Sequence, residues 1–201
     1  MPEGWGVVDV YNLANVVYGA PFASKLFNEA GEGKPLIRIR DLQTHSPSVF
    51  TTERHPKGTL IQPGNIVVGM DGEFRLHYWT GPEAWLNQRL CSFRPLPGVP
   101  AMYLGEALRS PLDYVERSEA ATTVIHLGKY DIDRFELLRP DDVTLAAFDA
   151  ITSPMLKLVV QSAAESAKLA ALRDYLLPRL LSGRVRVRDA RSVVVRETAT
   201  A

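Results

Sequence analysis

Residues 153–183 read SPMLKLVVQSAAESAKLAALRDYLLPRLLSG. The stretch decides the fold, because it reads as one long helix with a face that needs something to pack against. Ser153 followed by Pro154 forms an N-cap with proline at the first helical position, and Ser182-Gly183 is a stop where glycine accepts a left-handed backbone. Between these ends Met155, Leu158, Ser162, Glu165, Leu169, Leu172 and Leu176 recur at alternating spacings of three and four, and Leu180 extends the row, so all lie along one side of a helix. The middle of that seam is small (Ser162, Ala163, Ala164, Ser166, Ala167), which lets a second helix approach closely. At about 1.5 Å per residue the helix is roughly 40 Å long, more than a small domain needs for its own core. Periodicity leaves two readings open: pairing with another long helix, or folding back on its own domain.

Working outward, Asp141 and Asp142 are placed to cap a helix from Val143 to Ile151, with Pro154 as a kink or break before the long helix. Downstream, 184–201 is a basic tail carrying Arg184, Arg186, Arg188, Arg191 and Arg196, a pattern that also suits a solvated, flexible segment. Upstream, 1–140 alternates apolar strands with turns. Leu36 to Arg40 alternates apolar and charged residues as a half-buried strand does, with Arg38 and Arg40 on one face. Gly58–Ile61 is a short strand, Gln62-Pro63-Gly64 a turn, Ile66–Met70 a buried strand, and Asp71-Gly72 a tight hairpin. In the returning strand, Phe74, Leu76 and Tyr78 are expected to face the core, and Arg75, His77 and Trp79 to face outward. After Ala84–Leu86 comes the triplet Asn87-Gln88-Arg89, whose side chains match adenine and guanine edges and equally suit a turn. A helix from Met102 to about Glu116, interrupted near Pro111, and strands at 122–127 and 135–138 complete the domain.

Composition excludes several classes. The 201 residues, 46% of them apolar, support a packed core. One cysteine, Cys91, rules out a disulfide framework within the chain, and no stretch reads as a signal peptide or long apolar run, so the expectation is a cytoplasmic protein without a membrane. The net charge is zero, so any nucleic-acid surface must be local. Such a surface is available: residues 34–94 hold eight basic and five acidic side chains. There is no phosphate-binding loop, dinucleotide fingerprint, H-E-x-x-H or zinc cysteine pair, and the four histidines are scattered, so no catalytic residue, metal site or cofactor is assigned.

Several stretches, in order, resemble one family, the DNA-specificity subunits of type I restriction-modification systems. Gly33 to Leu42 resembles the family's early strand, and LIQPGNIVVGMDG at 60–72 its hairpin. AWLNQRLCSF at 84–93 resembles its Asn-Gln element, TTVIHL at 122–127 its threonine-histidine strand, and LAALRDYLLPRLLSG at 169–183 its helix terminus. Asn65 stands where the family pattern more often has aspartate, so a neutral amide is expected to make the turn hydrogen bond. The usual member has two target-recognition domains, each followed by a long helix, and this chain has room for one of each.

The resemblance implies an α/β (α+β) chain with three parts. A target-recognition domain at 1–140 has a mixed, twisted sheet. A spacer and dimerisation helix region at 141–183 pairs with another chain as an antiparallel coiled coil. The basic tail at 184–201 follows. It implies double-stranded DNA, a second copy of the chain, a DNA methyltransferase (modification) subunit and a restriction or translocase subunit as partners, with catalysis in the latter two. Arg38, Arg40, Arg75, His77, Asn87, Gln88 and Arg89 are the DNA-binding candidates, and Met155, Leu158, Ser162, Leu169, Leu172, Leu176 and Leu180 the dimer-interface candidates. Two other readings are an interaction protein that dimerises with or regulates a full-length specificity subunit without reading DNA, and an enzyme with an unrecognised site.

Overall fold

A computed structural model describes residues 2–119 and 126–186 of the chain. Most of the strand expected at 122–127, and Arg188, Arg191 and Arg196 of the tail, lie outside the described residues. The elements in order are β1 (Gly6–Asp9), β2 (Ala14–Tyr18), β3 (Phe27–Asn28), β4 (Lys34–Ile37), β5 (Phe50–Thr51), β6 (Leu60–Ile61), β7 (Ile66–Gly69), β8 (Leu76–Tyr78), β9 (Ala84–Leu86), β10 (Leu90–Pro95), α1 (Ala101–Glu119), α2 (Lys129–Ile132), β11 (Glu136–Arg139) and α3 (Asp142–Leu181). The architecture is α+β with mixed sheets and a long C-terminal helix. The chain divides into two compact units, Met1–Val160 and Gln161–Ala201.

In the first unit the strands form a four-stranded sheet in the order β2-β10-β7-β8, a five-stranded sheet β3-β5-β4-β9-β6, and a ribbon β1-β11. Among the described strands β4 and β9 run parallel and the other strand pairs antiparallel, with one isolated parallel bridge between Ala20 and Asn87. The four-stranded sheet is buried on both faces, which explains why β7 is a continuous apolar run. Ile66 and Val68 face a cluster with Cys91, Phe93 and the α1 residues Leu104, Leu108 and Leu112, while Val67 faces a second cluster with Ile37, Leu42, Ile61, Trp79, Leu86 and Leu90. Burial without a charged neighbour pushes the Cys91 thiol up to about 12, so it is packing material. Helix α1 lies close on β8 because position 105 is glycine: a Cβ there would sit 1.9 Å from the Tyr78 hydroxyl.

This second cluster corrects two expectations. Trp79 faces inward with no exposed surface, its indole N–H donating to the Pro82 carbonyl at 2.8 Å, because the sheet face assigned to solvent is covered by β4, β6 and β9. The strand carrying Arg38 and Arg40 ends at Ile37, and a 3-10 turn over Ile39–Asp41 follows, since the Asp41 carboxylate accepts the Arg38 backbone N–H at 2.9 Å. The Asp71-Gly72 hairpin is also wider than expected: β7 and β8 pair only from Val68 with Leu76 backward, which leaves a long connection. Two strands, β1 and β2, arise from an N-terminal segment for which no strand is expected. The Asn65 expectation holds: its side-chain oxygen accepts the Gln62 N–H at 2.9 Å across the turn in which Gly64 has φ +91°.

Neither proline interrupts its helix. Pro111 lies within α1, held on both sides by the buried Leu104, Leu108, Leu112 and Val115. Ser153 and Pro154 lie inside α3 instead of starting it. The carbonyl freed by Pro154 belongs to Ala150, and both residues are exposed, so the carbonyl is left facing solvent and not buried without a partner. The start of α3 is set by Asp141, whose carboxylate accepts from the Thr144 N–H and hydroxyl, each at 2.8 Å, and those bonds hold its pKa below the ordinary value.

The second unit contains the later turns of α3, from residue 161 to Leu181. They end as expected, with Gly183 at φ +69° donating to the Leu180 carbonyl at 3.1 Å. Arg179 stacks on the Tyr175 ring at 3.4 Å. Large apolar side chains stay exposed along α3: Ile151, Met155, Leu158, Val159, Leu169, Leu177 and Leu181 among them. The expectation of no long apolar run is therefore corrected. This helix is long and apolar enough, by length and composition, to cross a membrane, and little of its most apolar stretch is buried.

Candidate nucleic-acid interface

Two short segments build the site. The first is 39–45, fixed by Ile39 and Leu42 packing into the second cluster and by hydrogen bonds from the Leu42 N–H to the Ile39 carbonyl (3.1 Å) and from the His45 N–H to the Asp41 carbonyl (2.8 Å). His45 takes a left-handed backbone, φ 53°, and its ring lies 5.3 Å from the Trp79 ring. Its Nδ1 accepts the Thr80 N–H at 3.3 Å. The second segment is 73–77, at the start of β8. Together they line a surface cleft of about 390 Å³ between Ile39, Arg40, Leu42, Gln43, Glu73, Arg75 and His77. His45 and His77 stand edge to face with ring centroids 5.8 Å apart. Burial lowers the pKa of both below 6.5, and for His77 the neighbouring His45 and Arg75 lower it further. At neutral pH both rings are uncharged and serve as hydrogen-bonding groups.

The seven sequence candidates separate into groups. Arg40, Arg75 and His77 come together on the cleft. Arg38 does not join them. Its guanidinium binds the buried Asp41 at 3.2 Å and the Ser48 hydroxyl at 3.0 Å, which commits it to holding the 39–45 turn. Asn87, Gln88 and Arg89 form a separate turn between β9 and β10. There the Asn87 side-chain oxygen accepts the Gln88 N–H at 2.9 Å, and the Gln88 N–H also meets the Ala20 carbonyl at 2.9 Å. The turn lies so close to Gly19 that a Cβ there would be 1.8 Å from the Asn87 carbonyl oxygen. Arg89, with φ 69°, reaches Asp71 at 3.0 Å, and Asp71 also meets His126 at 2.6 Å.

The side chains of Arg40, Gln43 and Gln88 make no hydrogen bond or ion pair with the described residues. Arg75 is paired with Glu73 at 2.9 Å, but both are about three-fifths exposed, and such a pair holds an arginine by no more than about 1 kcal/mol. Arg75 is therefore free to exchange Glu73 for a phosphate, whereas the far less exposed Arg38 is not. Gln43, which lines the cleft, and His45, which packs on His77 behind it, are not among the sequence candidates. Gln43 stands in a polar stretch without periodicity, and only the anchoring of Leu42 and His45 on either side gives it a fixed place.

No protein-family model matches the chain. Sequence comparison finds the specificity subunit of the type I restriction enzyme EcoBI from Escherichia coli, 32% identical over 127 residues, which is 63% of this chain and 27% of that protein. The chain is a relative of type I specificity subunits. A second relative, the HindI specificity subunit from Haemophilus influenzae, is 21% identical over 195 residues, 92% of this chain and 42% of that protein. The chain thus spans less than half the length of either type I specificity subunit it matches. The crystal structure of a type I restriction-modification S subunit from M. genitalium has the same fold, with a TM-score of 0.61 at 16% identity, over 89% of this chain and 46% of that one. The Asn87 side chain, the Asn65 hairpin and the helix terminus, which belong to the stretches that carry the sequence resemblance, hold a turn, a hairpin and a helix end, while the Gln88 side chain has no partner among the described residues.

Proposed function

We propose that the chain is the DNA-recognition subunit of a type I restriction-modification enzyme, reading one half-site per copy through the cleft between residues 39–45 and 73–77. The observation that carries this reading is the convergence on that cleft of Arg40 and Gln43, whose side chains have no partner among the described residues, a loosely paired Arg75, and His77 with His45 packed behind it. Arginines supply phosphate contacts or guanine readout, and amide and imidazole groups supply base-edge hydrogen bonds. The chain itself carries no catalytic group in this reading, and methylation and ATP-dependent cleavage belong to partner subunits. Met155, Leu158, Ser162, Leu169, Leu172, Leu176 and Leu180 line the seam through which two copies pair their α3 helices antiparallel. Two identical surfaces related by a two-fold axis then read an interrupted palindrome.

The test is binding of the full chain to the duplex it selects from a randomised pool, at two salt concentrations. Arg40→Ala is expected to weaken cognate and scrambled duplex alike and to lower the salt slope by about one, the signature of a phosphate contact. Arg38→Ala is expected to lower thermal stability instead. Unchanged binding in both Arg40→Ala and Arg75→Ala would remove the cleft from the DNA interface. The interaction-protein reading is favoured instead if the chain selects no duplex yet binds a full-length specificity subunit.

A further inference from the structure

Among the side chains lining the cleft, Gln43 is the one whose chemistry is a paired donor and acceptor with neither half used. Its amide is exposed, while the backbone on either side is held: Leu42 is buried in the second cluster, and His45 is fixed by its N–H to Asp41, by the Thr80 N–H and by packing on Trp79. A third restraint comes from position 81, where a Cβ would sit 2.1 Å from the His45 carbonyl oxygen, so the 80–81 loop closes on the end of the segment. The result is an exposed amide on a turn anchored on both sides by burial and hydrogen bonds, an arrangement that loses little backbone entropy on binding. The flanking cations divide the work. Arg40 lies three residues earlier on the same turn and Arg75 on the opposite wall, both able to hold phosphate while the amide meets a base.

An amide that donates and accepts side by side matches one base edge in the major groove, the N6 amino group and N7 of adenine. We infer that Gln43 is a specificity-determining residue that reads an adenine in each half-site by a bidentate hydrogen bond. The inference rests on the cleft being the DNA-reading surface, and the experiment separates the two.

The full chain is first used to select duplexes from a randomised pool, giving a cognate sequence. Each adenine of one half-site is then replaced singly by 7-deazaadenine, which lacks the N7 acceptor. One replacement is expected to reduce the preference over scrambled duplex on the order of tenfold in the wild type and to have no further effect in Gln43→Ala. Selection with Gln43→Ala is expected to return the same motif with that position relaxed to any base. A wild type that selects no motif overturns both the cleft reading and this inference. A wild type that selects a motif which Gln43→Ala selects unchanged overturns the inference alone. So does a Gln43→Ala variant that weakens cognate and scrambled duplex equally, since that is the behaviour of a backbone contact. Because the side chain is exposed and without a partner among the described residues, the variant is expected to melt with the wild type, and its melting curve is recorded beside each binding curve.

Discussion

Replacing Leu158 and Leu169 of α3 together by aspartate tests whether a second copy covers the helix. Leu158 is 63% exposed and Leu169 59% exposed. Complete burial of a leucine side chain is worth about 1.5 to 3 kcal/mol, so each has roughly 1 to 2 kcal/mol still to gain. In a two-fold symmetric pair every residue counts twice. The double substitution therefore removes roughly 4 to 8 kcal/mol of pairing, before the added cost of a carboxylate brought against an apolar helix. At about 1.4 kcal/mol per tenfold, the dissociation constant rises by at least roughly a thousandfold. Light scattering of the full chain at micromolar concentration, without detergent, is expected to show a dimer for the wild type and a monomer for the variant, with the same far-ultraviolet helix signal. A wild type that is monomeric at hundreds of micromolar refutes the pairing. A wild type that stays in solution only with detergent also refutes it, because the same apolar face would then be matched to lipid.

Three further outcomes follow from the first unit. His45 and His77 have folded-state pKa values depressed below 6.5, so the folded chain binds fewer protons than the unfolded chain as pH falls past 6.5. The denaturant midpoint should be flat above that pH and decline below it, and replacing both histidines by glutamine should flatten the decline; equal slopes in both proteins refute the assignment. Asn65→Ala should cost about 1 kcal/mol through the lost bond to the Gln62 N–H, while Asn65→Asp keeps the acceptor and stays near wild type, as read by urea denaturation. Gly19→Ala places a methyl 1.8 Å from the Asn87 carbonyl oxygen and should lower stability by about 3 kcal/mol, with the 86–88 turn and its neighbours losing amide-exchange protection first.

The sequence made the scaffold legible where local chemistry decides it. The Gln62–Asn65 turn, the β7 run, the Asp141 cap and the Gly183 stop are each written in a few adjacent residues, and each is found. What it hid depends on cover from distant segments. Trp79 alternates with Tyr78 and reads as outward, and only the packing of β4, β6 and β9 over that face turns it into core. Arg38 looks identical to Arg40 on a strand pattern. The difference is Asp41, three residues on, whose carboxylate ends the strand and captures Arg38, while Arg40 has no partner among the described residues. Pro154 reads as a break because the sequence does not say which side of the helix faces water. The motifs of the family resemblance are found in the scaffold, yet the cleft lies partly outside them, at Gln43, where no periodic signal exists.

The ribbon of β1 and β11 pairs Gly6 with Arg139 through Asp9 with Glu136, so the polypeptide enters and leaves the strand-rich unit along adjacent, hydrogen-bonded tracks. A module bounded in that way behaves as a cassette. A replacement for residues 10–135 would have to close on the same ribbon and match the core side of Val8 and Leu137 and the contact of Tyr103 with Phe148, while the helix that follows keeps its start at the Asp141 cap. Recombination at the two tracks would give new surfaces on an unchanged handle. A chimera joined at Asp9 and Glu136 is the engineering counterpart, and it is expected to keep the α3 helix signal while its surface changes.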